Sequence, residues 1–324
     1  MITLAVPVTD SACAARRSAL HILTGLWLAG AIVSTPNVGR AQSAIPQPSM
    51  GLGTFSFLDG DGGPGFTFET VGSGYQAWRL NDTQGGKVPG RNQQTIAGIN
   101  IHPIYVSELK LLGGNLGFDA VIPLVYLHND FAGSDSTNTS VGDVTFDPQI
   151  QWSQLSLLGR PFSMRFGLQI VAPTGSYNRD RPSNVGQNIW QISPYYAFTW
   201  RTTELWEVSG RLIYDWSGEN RDLARSSGTR SAQPGQQAAF SLSASYALSD
   251  QWRAGITGYG FQQITNTEID GTALPGSRQR AFGIGPGLVW SSSSAKVIAN
   301  VFKEFGVENR PQGYQAVLRL ITPF

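Results

Sequence analysis

Two short patterns in this chain could do chemistry. Asp59-Gly60-Asp61-Gly62-Gly63 alternates carboxylates with glycines, a spacing from which oxygen ligands can wrap a calcium ion. A complete calcium loop needs more acids and a closing glutamate, and none follows at the right distance, so no metal is expected. His102 and His128 are the histidines beyond the first forty residues; His128 is followed by Asn129-Asp130, and His102 precedes Pro103. A serine hydrolase needs its histidine beside a nucleophile and an orienting group, and no Gly-x-Ser-x-Gly elbow is present. The expectation is a protein that is not an enzyme and carries no cofactor. An outer-membrane lipid hydrolase is the least favoured alternative.

A third set of reactive groups is spread along the chain. Glu69, Asp119, Asp143, Asp147, Arg165, Glu207, Arg211, Asp215, Arg253, Glu304 and Arg319 all fall on the polar parity of segments that alternate with a period of two. Trp190, Ile192, Pro194, Tyr196, Phe198 and Trp200 share one parity, against Gln191, Ser193, Tyr195, Ala197 and Thr199 on the other. Trp206, Val208, Gly210, Leu212, Tyr214 and Trp216 oppose Glu207, Ser209, Arg211, Ile213 and Asp215 in the same way. Trp190 and Trp200, like Trp206 and Trp216, mark the two ends of one face. Ten residues at about 3.3 Å span roughly 33 Å, and a tilt of about 40° projects this to about 25 Å, the height of an outer-membrane apolar band. Tryptophan at both rims is what an amphipathic ring prefers at a membrane surface.

The expected fold is therefore all-β, a transmembrane antiparallel barrel of twelve strands: 66–77, 94–106, 116–127, 143–153, 162–173, 189–200, 205–216, 237–248, 252–263, 280–290, 296–305 and 314–324. Short connections (Ser107–Asn115, Gln154–Pro161, Arg201–Glu204, Ser249–Gln251, Ser291–Ala295) alternate with longer polar ones (His128–Gly142, Thr174–Asn188, Ser217–Gln236), as periplasmic turns alternate with extracellular loops. Trp152, Trp200, Trp206, Trp252 and Trp290 then form a periplasmic girdle, and Trp78, Trp190 and Trp216 the outer rim. The last strand closes on Phe324, an aromatic terminus of the kind read by barrel-assembly machinery. Pro148 and Pro194 fall inside strands, where a ladder donor is lost, and are expected at bulges or near rims.

Composition agrees. Of 324 residues only 14% are charged, against 11% aromatic and 38 glycines; soluble domains average about 25% charged. The net charge of +1 offers no footprint for nucleic acid. Arg16-Arg17, an apolar stretch from Ala19 to Val33 and Gly39-Arg40-Ala41 compose a signal peptide, 1–41, with cleavage after Ala41. Cleavage removes Cys13, so no disulfide is expected. Residues 42–65, rich in Gly and Pro, form an N-terminal periplasmic or luminal segment, a flexible loop or a plug; 66–324 form the barrel.

The chain resembles the outer-membrane proteins of the "meta-pathway of phenol degradation" family. The resemblance is carried by Val141-Gly142-Asp143-Val144, Ala172-Pro173-Thr174-Gly175-Ser176-Tyr177, Asn184-Val185-Gly186-Gln187-Asn188-Ile189-Trp190, Tyr214-Asp215-Trp216 with Glu219-Asn220, Gly258-Tyr259-Gly260-Phe261-Gln262-Gln263, Gly283-Ile284-Gly285-Pro286, and Lys303-Glu304-Phe305-Gly306 with Glu308-Asn309-Arg310-Pro311-Gln312-Gly313. It implies a barrel in a Gram-negative outer membrane that aids uptake of small hydrophobic, aromatic solutes. On that expectation the charged parity lines the lumen, with Tyr195, Tyr259 and Phe261 as contacts for an aromatic solute, or the acids and arginines pair across the lumen and brace it. The alternative is a structural or surface-interaction barrel with an occluded lumen, whose loop arginines Arg221, Arg225 and Arg230 meet lipopolysaccharide phosphates.

Overall fold

A computed structural model describes residues 46–224 and 227–323. The signal peptide, the first residues of the 42–65 segment, Arg225 and Phe324 lie outside the described residues. The strands are β1 (Gly65–Leu80), β2 (Asn92–Leu111), β3 (Gly114–Phe131), β4 (Ser134–Val141), β5 (Val144–Leu157), β6 (Arg160–Ala172), β7 (Gln191–Trp200), β8 (Trp206–Ser217), β9 (Ala232–Gln233), β10 (Gln237–Ala247), β11 (Trp252–Gln263), β12 (Glu268–Ile269), β13 (Thr272–Ala273), β14 (Arg280–Ser291), β15 (Lys296–Glu308) and β16 (Pro311–Pro323).

Twelve of these close a ring. The order is β2-β1-β16-β15-β14-β11-β10-β8-β7-β6-β5-β3, and β3 pairs back onto β2. All neighbours are antiparallel, and β1 and β16 pair over most of their length. Closure leaves no free end to the order of these twelve strands. β4 runs on from β5 and pairs with the far half of β3; β9, β12 and β13 form a small sheet among the long loops.

The alternation explains the burial, with the sign reversed from a soluble protein. On β7 the buried residues are Gln191, Ser193, Tyr195, Ala197 and Thr199. Facing outward are Leu242, Ile256 and Leu318, each more than half exposed. Polar groups inside and apolar groups outside are stable only where the surrounding solvent is hydrocarbon and the closed ladder satisfies every backbone group. The barrel is of the outer-membrane type.

The structure corrects several boundaries. The connection expected at His128–Gly142 is a hairpin: β3 and β4 pair from Leu124↔Val141 to Phe131↔Ser134, around a turn at Ala132-Gly133 with φ of 52° and 82°. Here one face of β4 is exposed and the other meets the loop at Ser183 through polar groups, Asn138 donating to the Ser183 carbonyl at 3.1 Å, so Ser, Thr and Asn occupy both parities and no hydrophobic period marks the strand. The connections at Ser107–Asn115 and Gln154–Pro161 are also mostly strand, turning at Leu112-Gly113 and Leu158-Gly159. Pro148 and Pro194 sit at neither rim. Each lies in the wall, where the β5–β6 and β7–β8 ladders each skip two pairs, and each strand is held there by its other neighbour. Two glycines face lumen tyrosines: a Cβ on Gly167 or Gly283 would stand 2.4 Å from the ring of Tyr195 or Tyr259 directly opposite.

Candidate functional site

The described part of the N-terminal segment, from Pro46, lies in the lumen. Its apolar side chains supply the core: Met50 joins Tyr195, Ala197, Ile213 and Phe261, while wholly buried Phe57 joins Val289 and Ile298. Phe57 fits because β14 offers Gly287 at that point; a Cβ there would lie 2.4 Å from the ring. Gly60 is pressed onto the backbone of Phe198 and Thr199 at 2.4 Å from where a Cβ would be, so only glycine fits.

The two aspartates of the Asp-Gly repeat are anchors to the wall. Arg211 donates from Nε and Nη2 to Asp59 at 2.7 and 2.9 Å. Its guanidinium also lies over the rings of Phe55 at 3.7 Å and Tyr195 at 4.1 Å. Asp61 accepts from Arg201 at 2.6 Å. Arg201 belongs to the short turn after β7, and this hydrogen bond raises its pKa above the ordinary value. Arg165 donates to the Asp61 carbonyl at 3.0 Å, the Leu58 N–H donates to Glu207 at 3.1 Å, and Gln315 donates to the Leu52 carbonyl at 2.9 Å.

Asp147, Glu207, Arg211, Asp215, Tyr259, Phe261, Glu304 and Arg319 are buried on the lumen side. Arg165 and Arg253 are half-buried there; Arg253 donates to Ser245 at 2.9 Å and to the Leu205 carbonyl at 2.8 Å. Glu304 accepts from Tyr75 at 2.7 Å and Tyr259 at 3.0 Å, and Phe261 lies under the Arg310 guanidinium at 5.0 Å.

The charges do not brace the lumen from wall to wall as one expectation had it. Arg211 meets the N-terminal segment, Arg319 meets Glu69 on the neighbouring strand at 2.5 Å, and Asp215 takes its hydrogen bonds from Gln191, Ser193 and Ser217. Asp143, placed in a strand by the sequence pattern, stands in the break between β4 and β5. It accepts from the N–H groups of Gly175 at 2.8 Å and Gln187 at 2.7 Å. Tyr195 is wholly shielded, with its hydroxyl on Asp147 at 2.8 Å.

The described tryptophans face outward, toward the two ends of the barrel. Trp152, Trp200, Trp206, Trp252 and Trp290 lie at the short-turn end, where Trp252 and Trp290 are direct cross-strand partners and Trp206 meets Tyr246 edge-on at 5.2 Å. Trp78, Trp190 and Trp216 lie at the long-loop end, Trp78 stacked on Tyr314 at 5.3 Å.

Two features escaped the sequence reading. His102 bridges carboxylates on both sides, Nδ1 to Glu69 at 2.9 Å and Nε2 to Asp119 at 3.1 Å; the three residues share the lumen parity of β1, β2 and β3, which was the available signal. The second is a cavity of about 520 Å³ above the N-terminal segment, toward the long loops. One wall is an apolar stripe of Ile96, Val121, Pro123, Val125 and Leu127, with Met50 and Leu52 also in the lining. Its signal was the unbroken run Val121-Ile122-Pro123-Leu124-Val125-Tyr126-Leu127, in which both parities are apolar. One face meets lipid and the other lines the cavity. Polar groups in its lining include Gln94, Asn129, Tyr75 and Gln187.

A family described as "Putative MetA-pathway of phenol degradation" matches residues 77–320. No curated protein matches the sequence. Among solved structures, an outer membrane channel from Pseudomonas putida F1 is similar at a TM-score of 0.72 and 20% identity, over 86% of this chain and 99% of that one. The transport unit of the autotransporter AIDA-I from Escherichia coli is similar at 0.51 and 13% identity, over 89% and 99%. Both similarities are of fold.

Proposed function

The chain belongs to this phenol-degradation family, and we propose that it is an outer-membrane channel of a Gram-negative bacterium that collects small hydrophobic, aromatic solutes from outside the cell. The observation that carries this function is the apolar stripe Ile96, Val121, Pro123, Val125 and Leu127 on the lumen side of a barrel whose other inward positions are mostly polar. A small ring compound leaves water at about 25 cal/mol per Å² of apolar surface covered. The amides of Gln94, Asn129 and Gln187 supply partners for a single polar substituent. Nothing in this wall selects ions, because it carries no ring of one charge sign. Residues 46–64 occlude the axial path below the cavity, and the solute is passive cargo rather than a reactant. Carboxylates on both ring nitrogens of His102 leave neither nitrogen for a serine.

Uptake of radiolabelled toluene at limiting concentration, in a deletion strain and its complemented counterpart, tests the function. Faster uptake in the complemented strain is expected; equal rates overturn it. The packed lumen also favours a second reading, a surface barrel acting through its loops. That reading predicts equal uptake together with loss of binding to lipopolysaccharide vesicles when Arg221 and Arg230 are replaced by Ala.

A further inference from the structure

Resting on that reading, we propose that the cavity holds a carboxylate subsite at Arg310 and that its solutes include small aromatic carboxylates, with the ring on the apolar lining and the acid on the guanidinium. Asn309 and Arg310 form the turn between β15 and β16, at the long-loop end. The turn is fixed on both sides. Asn309 donates to the Gly276 carbonyl at 2.8 Å and to the Arg278 carbonyl at 2.6 Å, and the Asn81 N–H donates to the Arg310 carbonyl at 3.1 Å. From this held backbone the Arg310 side chain reaches the cavity lining, its guanidinium 5.0 Å from the centre of the Phe261 ring.

Arg310 is the single cation among the described residues of that lining. Its Nε is buried with no hydrogen-bond partner among the described residues, and no described residue forms an ion pair with it. A buried donor left unpaired is uncommon in a folded protein. The two carboxylates of the lining are served by other donors. Glu304 accepts from Tyr75, from Tyr259 and from the Gly313 N–H at 3.0 Å, and Asp143 accepts from Gly175 and Gln187. A guanidinium presents its donors in a planar fork that matches the two oxygens of a carboxylate. It is also more weakly hydrated than an ammonium, which suits it to a confined partner. Apolar surface lies beside it. Met50 packs with Phe261 and Val307 in one cluster, Leu52 lies against them, and both Met50 and Leu52 line the cavity. A pure hydrocarbon uses this surface alone and leaves the guanidinium unanswered; an aromatic acid uses both.

The test compares benzoate with benzamide, which have nearly the same shape and differ in charge at neutral pH. Binding of each to the purified chain, folded in detergent, is measured by isothermal titration calorimetry. Benzoate is expected to bind about tenfold more tightly, an advantage that Arg310→Gln removes and Arg310→Lys keeps in part. Equal affinities for the wild-type chain overturn the subsite, whether or not either variant assembles. In the deletion strain complemented at equal amounts of folded protein, Arg310→Gln is expected to slow benzoate uptake about fivefold and to leave toluene uptake within about twofold of wild type. An unaltered benzoate rate overturns the subsite, and so does an equal loss of both solutes, which would mark Arg310 as a support of the cavity. Toluene uptake by the wild-type chain without any uptake of benzoate overturns the subsite while leaving the uptake function standing. No uptake of either solute overturns both.

Discussion

Arg211 on β8 and Asp59 in the N-terminal segment meet in a two-pronged ion pair, with both side chains almost wholly buried. The pair joins a luminal segment to the wall across a long stretch of sequence. Removing one partner of a buried pair strands the other charge, at about 3–5 kcal/mol. Asp59→Ala is therefore expected to loosen residues 46–64 and turn a quiet channel into one with steady single-channel conductance in planar bilayers. Identical traces for variant and wild type would show that the pair does not hold the segment in place.

Leu242 sits outward on β10, and its neighbour Ser243 is buried inside. Leu242→Arg should cost about 2–4 kcal/mol in urea unfolding from phospholipid vesicles. In a soluble protein the same exposed site would tolerate arginine within about 0.5 kcal/mol, and a loss that small would contradict a lipid-facing surface.

Gly167 lies under the ring of Tyr195. Gly167→Ala forces that ring from its site and should destabilise the barrel by about 1–3 kcal/mol, read as a lower temperature for the gel shift. In a Tyr195→Ala background the same change should be nearly neutral. Equal effects in both backgrounds would place the strain elsewhere.

Val125 belongs to the cavity stripe. Val125→Asp is expected to slow toluene uptake about tenfold, which corresponds to about 1.4 kcal/mol, whereas Val125→Ile should retain the wild-type rate. The comparison is made at equal amounts of folded protein.

Asp270, between β12 and β13, accepts from the N–H groups of Arg230 at 2.8 Å and Ser231 at 2.9 Å, and these bonds lower its pKa. A folded-state value below the ordinary aspartate value of about 3.9 stabilises the loop pair at neutral pH, and this contribution is lost as pH falls through the folded value. Amide exchange at Ser231 should be slow at neutral pH and should lose protection in strong acid. Asp270→Ala should remove that pH dependence.

The barrel was legible wherever a strand separates lipid from lumen, because two solvents of opposite polarity write a period of two into β7 and β8. The β3–β4 hairpin was not, since the inward face of β4 meets the loop at Ser183 through polar groups and Ser134 to Ser140 carry no contrast. The lumen charges stood on a readable parity, but their partners did not. Asp59 and Arg211 are 152 residues apart, and nothing local in Asp-Gly-Asp-Gly distinguishes an anchor from a turn. The cavity stripe was visible only as missing alternation in Val121 to Leu127, which by itself also fits a strand buried on both faces.

Because β1 hydrogen-bonds to β16, the ring cannot be completed until the last strand has emerged and found the first. A pairing this distant in sequence forms slowly. The greasy outward residues would meanwhile stand exposed to water, inviting self-association. Delivery of this polypeptide to its bilayer therefore calls for an escort that keeps it extended and insertion-competent along the way.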